Sequence, residues 1–302
     1  MPLFVRLPMS QFVHYFCFLN FAQSLNLRRL NLLFMKDNPS ITRYSRFMEL
    51  TWLGTAGFIA RTKDAEVAFD PFLSRGIGVQ SPFTANSFQN TQAIFVGHGH
   101  FDHTFDIPKI AAQSEVRVVA PGLTRQVLNF RGVAKSQLEV ASNDKILFSP
   151  MKVRAFKSAH VKFDLPLVIS TIRRCGISGC VHIAKLGLGY PQGLVQSYLF
   201  EKKGKKFLFL SSAGCTEAEL QDYRRLEIDF LLAPLQGHSR IQSIVADLTT
   251  RVQPKVVIPH HHDDFYPPLS QGISVEVFKD QLKQKGYKGK VLEIPLFQAA
   301  QV

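Results

Sequence analysis

The 302-residue chain is poor in cysteine, in acid and in unbroken apolar sequence. Its four cysteines, Cys17, Cys175, Cys180 and Cys215, form neither the dense pattern of a disulfide-stapled domain nor a C-x-x-C metal knuckle. Reduced thiols in a cytoplasmic protein are therefore expected. Acids number 23 against 36 lysines and arginines, giving a formal charge of +13 that favours an anionic partner. The basic residues are scattered, as at Arg173-Arg174, Lys202 to Lys206 and Arg224-Arg225, so none of them builds a nucleic-acid tail. The apolar stretch near the N-terminus is broken by His14, Asn20 and Gln23. It falls short of the roughly 20 apolar residues of a membrane span and lacks a small-residue cleavage site.

A hydrophobic content of 46% is that of a soluble globular protein, enough for one large domain or two small ones. Residues 1–47 are aromatic and basic, with six Lys/Arg against one acid. They read as an N-terminal extension ahead of a true start at Met48; a membrane-contacting amphipathic segment or a degenerate targeting peptide are the alternatives. From Met48 to residue 302 the text becomes one domain of short apolar strands separated by turn signals. Strands are expected at "MELTWLG", "GFIAR", "EVAFD", "AIFVG", "VRVVA", "KILFS", "MKVRAF", "LVQSYLFE", "KKFLFLSS", "IDFLLAPL", "PKVVIP" and "KVLEIP". Helices are expected at 106–113, 122–131, 216–225, 240–251 and 272–285, an alternation that layered α/β architecture requires. "KKGKKF" reads as a hairpin turn, and the Gly-rich stretch 161–194 as a long irregular excursion able to shape a binding site.

The chemistry concentrates in "GHGHFDH", residues 97–103, directly after the strand "AIFVG". Gly97 and Gly99 leave room for bulky imidazoles. In an extended segment His98, His100 and Asp102 share one side and His103 faces elsewhere, so one segment can serve two adjacent metal positions. Asp106 is placed to cap the following helix, with Pro108 in its first turn. Further residues of metal-ligand type lie at His160, closing the strand "MKVRAFKSA", and in the triplet His260, His261 and His262.

These motifs, with "TWLGTAGF" at 51–58, "FDPFLS" at 69–74, "FLFLSSAG" at 207–214 and "PKVVIPHHHDDF" at 254–265, resemble the metallo-β-lactamase-fold hydrolases. The resemblance runs from Met48 to about residue 294 and is strongest to the lactonase and phosphodiesterase branch, which includes ascorbate-phosphate lactonases and N-acyl phosphatidylethanolamine phospholipase D. It implies an α/β fold, a four-layer αββα sandwich. It also implies one or two Zn²⁺ ions, with Mn²⁺ or Fe²⁺ as alternatives. The first metal would take His98, His100 and His160. The second would take Asp102, His103 and a final histidine that the family pattern sets at His261. Asp102 would also orient a water whose pKa the metal lowers to about 7, making a hydroxide that attacks an ester, lactone or phosphodiester.

One departure stands out. The family carries a metal-bridging aspartate after the "FLFL"-type strand, and the corresponding position here is Ser212, a neutral side chain that binds zinc poorly. Asp263, Asp264 or His238 could supply the missing ligand from neighbouring loops. Asp70 is expected to accept the free N–H of a ligating imidazole. The expected partner is a small, anionic, phosphorylated or otherwise charged substrate. A metal-binding scaffold that lost catalysis with the bridging aspartate is the first alternative; a nucleic-acid phosphodiesterase of the same fold is the second. The oligomeric state is left open by the sequence.

Overall fold

The computed structural model describes residues 48–143 and 145–302, so the expectations for residues 1–47 lie outside the described residues. Two sheets form the centre. The first holds β1 (Glu49–Gly54), β2 (Gly57–Arg61), β3 (Glu66–Phe69), β4 (Ala93–Phe95), β5 (Arg117–Ala120), β6 (Leu138–Val140) and β13 (Ala299–Gln301). The second holds β7 (Arg154–Ser158), β8 (Val195–Lys202), β9 (Lys205–Leu210), β10 (Phe230–Pro234), β11 (Val256–His260) and β12 (Lys290–Val291). Their strand orders are β13-β1-β2-β3-β4-β5-β6 and β12-β11-β10-β9-β8-β7. In each sheet antiparallel neighbours lead into parallel ones: β3, β4, β5 and β6 run parallel, as do β9, β10, β11 and β12.

Alternation along the strands decides what packs where. Phe207 and Phe209 of β9 point between the sheets, where they join Trp52, Phe58, Phe69, Phe95, Tyr198 and Phe200 in one aromatic core. Leu208 and Leu210 of the same strand point outward onto α5 (Glu217–Arg225), α6 (Ile241–Val252) and α7 (Val275–Gln284). The outer face of the first sheet is covered in the same way by α2 (Ile107–Ala111) and α3 (Gly122–Phe130), through Ile107, Ile110 and Leu128. The layers are therefore helix, sheet, sheet, helix, as expected.

The β8–β9 hairpin turns at Lys203 and Gly204, both with positive φ, a two-residue turn whose twist suits the flanking strands. Three expectations need correction. "KILFS" contributes only an isolated bridge, Phe148 to Val153, whereas "LEV" at 138–140 and "AAQ" at 299–301 are short edge strands whose signal is too brief to read. The excursion 161–194 is mostly helical: α4 (Leu165–Gly189) is interrupted at Gly176, and the chain bends by 118° between its two limbs, Leu165–Gly176 and Val181–Gly189. Asp106 does not cap a helix through its side chain; its carboxylate accepts from the backbone of Leu73 and Ser74 and from the Ser74 hydroxyl, tying the loop after β3 to α2. Among the described residues no single helix is long and apolar enough to cross a membrane.

Candidate metal centre

The parallel strands β3 and β4 end side by side, and the chain leaves β4 through Val96 and Gly97. A Cβ on Gly97 would run into the Ser211 side chain, and one on Gly99 into the Pro191 carbonyl, so both positions exclude a side chain. His100 is extended and is the N-cap of a one-turn helix, α1 (Phe101–Thr104). That turn redirects Asp102. It joins His103 and His261 in one group of converging ligand atoms, while His98, His100 and His160 form the adjacent group. The expectation that Asp102 shares a side with His98 and His100 therefore fails, because the extended backbone stops at His100.

Three of the imidazoles are oriented by a bond from their other nitrogen. His160 Nδ1 donates to the Val161 carbonyl at 2.6 Å. His98 Nδ1 lies 2.9 Å from Ser211 Oγ, and His103 Nδ1 lies 2.7 Å from Asp70 Oδ2. With those nitrogens protonated, the remaining ring nitrogens carry lone pairs that face the cluster. His98 Nε2 and His100 Nδ1 face each other at 3.1 Å. Two nitrogens each about 2.0 Å from one tetrahedral ion would stand roughly 3.3 Å apart, so this pair is already spaced as ligands.

Asp70 is the hub beneath both groups. Fully buried and held at φ 39°, it accepts from Gly97 N–H at 2.6 Å through Oδ1. Through Oδ2 it accepts from His103 and from the Ser211 hydroxyl at 2.7 Å. Ser211 in turn reaches His98, so one carboxylate orients a histidine of each metal position.

The electrostatics suit a cation. Burial, reinforced by the neighbouring imidazoles, holds His98 well below the ordinary imidazole value; burial also lowers His160 and brings His100 to about 4. These rings are neutral ligands at neutral pH. Burial works against ionisation of Asp102 too, yet His103 and His261 outweigh it and keep the carboxyl charged. His103 is pushed down by burial but raised overall by Asp70 and Asp102. Five imidazoles around one carboxylate, with Asp70 behind, make a donor set that fits one or two divalent ions.

The histidine triplet divides three ways. His260, the last residue of β11, packs in the core against Phe58 and Phe209. His261 takes a left-handed backbone, φ 56°, bonds Thr55 O through its N–H, and turns its ring to Asp102 Oδ2 at 3.2 Å. His262 lies against Trp52.

The proposed replacements for a bridging carboxylate are occupied elsewhere. Asp263 pairs with buried Arg75 at 2.6 Å and accepts from Thr55 N–H; Asp264 accepts from Ser270 Oγ. His238 lines the same cavity as the cluster but stands beside Asp164, outside both ligand groups. Ser212 lines the cavity and accepts from Val161 N–H. The serine that touches the ligands is Ser211, which sequence reasoning missed. Extending the β9 alternation would have found it, since Ser211 follows Phe207 and Phe209 on the inter-sheet side.

An αββα sandwich with this centre at the strand ends is the metallo-β-lactamase fold. A family model described as "Beta-lactamase superfamily domain" matches residues 49–261, and the chain belongs to that family. It is 27% identical over 243 residues to a protein of Polaromonas sp. named "UPF0173 metal-dependent hydrolase", covering 76% of this chain and 82% of that one. A protein of the same name from Salinibacter ruber is 27% identical over 250 residues, covering 81% and 96%. Among solved structures, the metallo hydrolase Igni18 from Ignicoccus hospitalis superposes with a TM-score of 0.61 at 18% identity, over 85% of this chain and 99% of that one. The metallo-β-lactamase-fold protein YhfI from Bacillus subtilis gives 0.58 at 11% identity, over 85% and 100%. These likenesses place the chain among the metallo-β-lactamase-fold hydrolases.

Proposed function

We propose that the protein is a metal-dependent hydrolase acting on an ester, lactone or phosphodiester of a small molecule. The observation that carries this reading is the convergence of two ligand groups, His98, His100, His160 and Asp102, His103, His261, in the wall of one cavity of about 550 Å³. A bound divalent ion, zinc by the character of these donors, would supply Lewis-acid polarisation of the scissile oxygen and a hydroxide source near neutral pH. The chain's own residues do the positioning. Asp102, ionised and aimed between His103 and His261, is placed to accept a proton and to orient the attacking water. Asp70 and Ser211 fix the imidazole tautomers of His103 and His98. An anionic substrate is favoured by Arg174, a cavity-lining cation with no carboxylate partner among the described residues.

The test is to titrate the purified protein with zinc, manganese and iron(II) and assay a panel of lactones, esters and phosphodiesters. Metal-dependent turnover that is lost in His100→Ala supports the reading. Stoichiometric metal without turnover of any member overturns it.

One observation favours a second reading, a metal-binding scaffold: Ser212 gives no bridging carboxylate, and its hydroxyl is engaged by Val161. On that reading Ser212→Asp creates activity where the parent has none; a loss of existing activity in the same variant excludes it.

A further inference from the structure

We infer that the cavity lined by the metal centre is a binding site for an acyl chain, so that the substrate carries a medium-length apolar group on its scissile ester or lactone function. This rests on the hydrolase reading and adds the substrate class. Both limbs of α4 wall the cavity, with Leu167, Val168 and Ile172 on the first and Ile183 and Leu186 on the second; Leu269 lines it as well. Among the described residues Arg174 is the single lysine or arginine lining the cavity, and the side that α4 contributes is largely hydrocarbon.

Two features make this wall a site rather than loosely packed core. Val168 and Ile172 are 41% and 48% exposed while lining the cavity, so apolar surface stands open beside a cluster of buried polar ligands. A chain laid along them would remove that surface from water, at about 0.8 kcal/mol for each methylene buried. The wall is also held in place. The Arg174 guanidinium bonds the carbonyls of Pro268 and Leu269 and the hydroxyls of Ser170 and Thr171, pinning the first limb of α4 across the cavity to the segment after the histidine triplet. A volume of about 550 Å³ falls within the roughly 300–1,000 Å³ usual for small-molecule sites. The histidine cluster and the apolar wall line the same cavity, so a substrate with its scissile group at the histidines can lay an attached chain along α4.

The test separates binding from turnover. Butyrate, hexanoate, octanoate and decanoate are titrated calorimetrically into metal-free and zinc-loaded full-length protein. Affinity is expected to rise about threefold to fourfold per added methylene until the cavity is filled. Ile172→Asn and Leu186→Asn should each weaken octanoate binding about tenfold and leave butyrate nearly unchanged. Leu188→Asn alters an exposed residue that does not line the cavity and should leave the whole series unchanged. An affinity independent of chain length in the wild-type protein overturns the proposal, whatever the variants do. So does a steep series that survives both cavity variants or collapses in Leu188→Asn, because the chain then binds elsewhere. A flat series alongside metal-dependent turnover of a short ester sinks the chain site and leaves the hydrolase; a steep series without turnover does the reverse.

Discussion

Asp70→Asn is the sharpest single perturbation of the centre. Asparagine has the same shape and is among the few residues that tolerate a left-handed backbone, so φ 39° adds no new strain. One oxygen is kept for the Gly97 N–H. The other acceptor, now an NH₂ group, meets the Ser211 hydroxyl and His103 Nδ1. Ser211 can rotate and accept. His103 can accept only by moving its proton to Nε2, the nitrogen that faces Asp102 and the second metal position. The variant thus either leaves a buried donor unpaired, at about 1–3 kcal/mol, or gives up a metal-ligating lone pair. Loss of such an orienting partner typically lowers metal affinity about 10–100-fold. The expected result is a loss of that size at the Asp102, His103 and His261 position, read by competition with a chromogenic chelator, with a smaller effect at His98, His100 and His160. Urea denaturation of the metal-free variant gives the stability share. Unchanged affinity at both positions would refute the orienting role of Asp70.

His260→Phe should retain full metal content and change stability by less than about 1.5 kcal/mol, because the ring already sits between two phenylalanines. His261→Ala, by contrast, should abolish binding at the second position; elemental analysis of the two variants distinguishes them. Asp263→Ala leaves the buried Arg75 guanidinium unpaired and should destabilise the protein by about 3–5 kcal/mol by chemical denaturation while metal stoichiometry is kept, whereas loss of a metal equivalent would make Asp263 a ligand after all. The metal-free protein should lose stability on acidification between pH 6.5 and about 4. The unfolded chain takes up protons there that the folded His98, His100 and His160, with lowered pKa values, refuse. His103 opposes this with a raised value, contributing stability below pH 6.5 that is lost as pH rises through it. Asp102, with a depressed value, adds a further loss below its ordinary pKa of 3.8. A higher urea midpoint at pH 5 than at pH 7.5 contradicts this balance.

Much of the centre was legible because its signal is local. "GHGHFDH" carries four ligand-type side chains on a segment leaving a strand, and the glycines around them have no space for anything larger. The fold was legible where alternation is long, as in β8 and β9, and not where edge strands are only three residues long, as in β6 and β13. The separation of Asp102 from His98 and His100 came from the family resemblance alone, because alternation along an extended segment cannot show the backbone turn at Phe101. The choice of His261 from the triplet came from the same source, because the positive φ that turns its ring leaves no mark in the spacing. Asp263 and Asp264 read as ligands only until their partners, Arg75 and Ser270, are seen; those contacts are tertiary and leave no trace in spacing. The helical character of 161–194 was masked by its glycines, one of which, Gly176, is the bend between its limbs.

The central claim is that imidazoles from three distant segments surround adjacent cation positions. Anomalous diffraction from crystals grown with zinc tests it directly. The account predicts a peak about 2.0–2.1 Å from nitrogens of His98, His100 and His160, and any second peak bounded by Asp102, His103 and His261. Zinc found only away from these six side chains would contradict it.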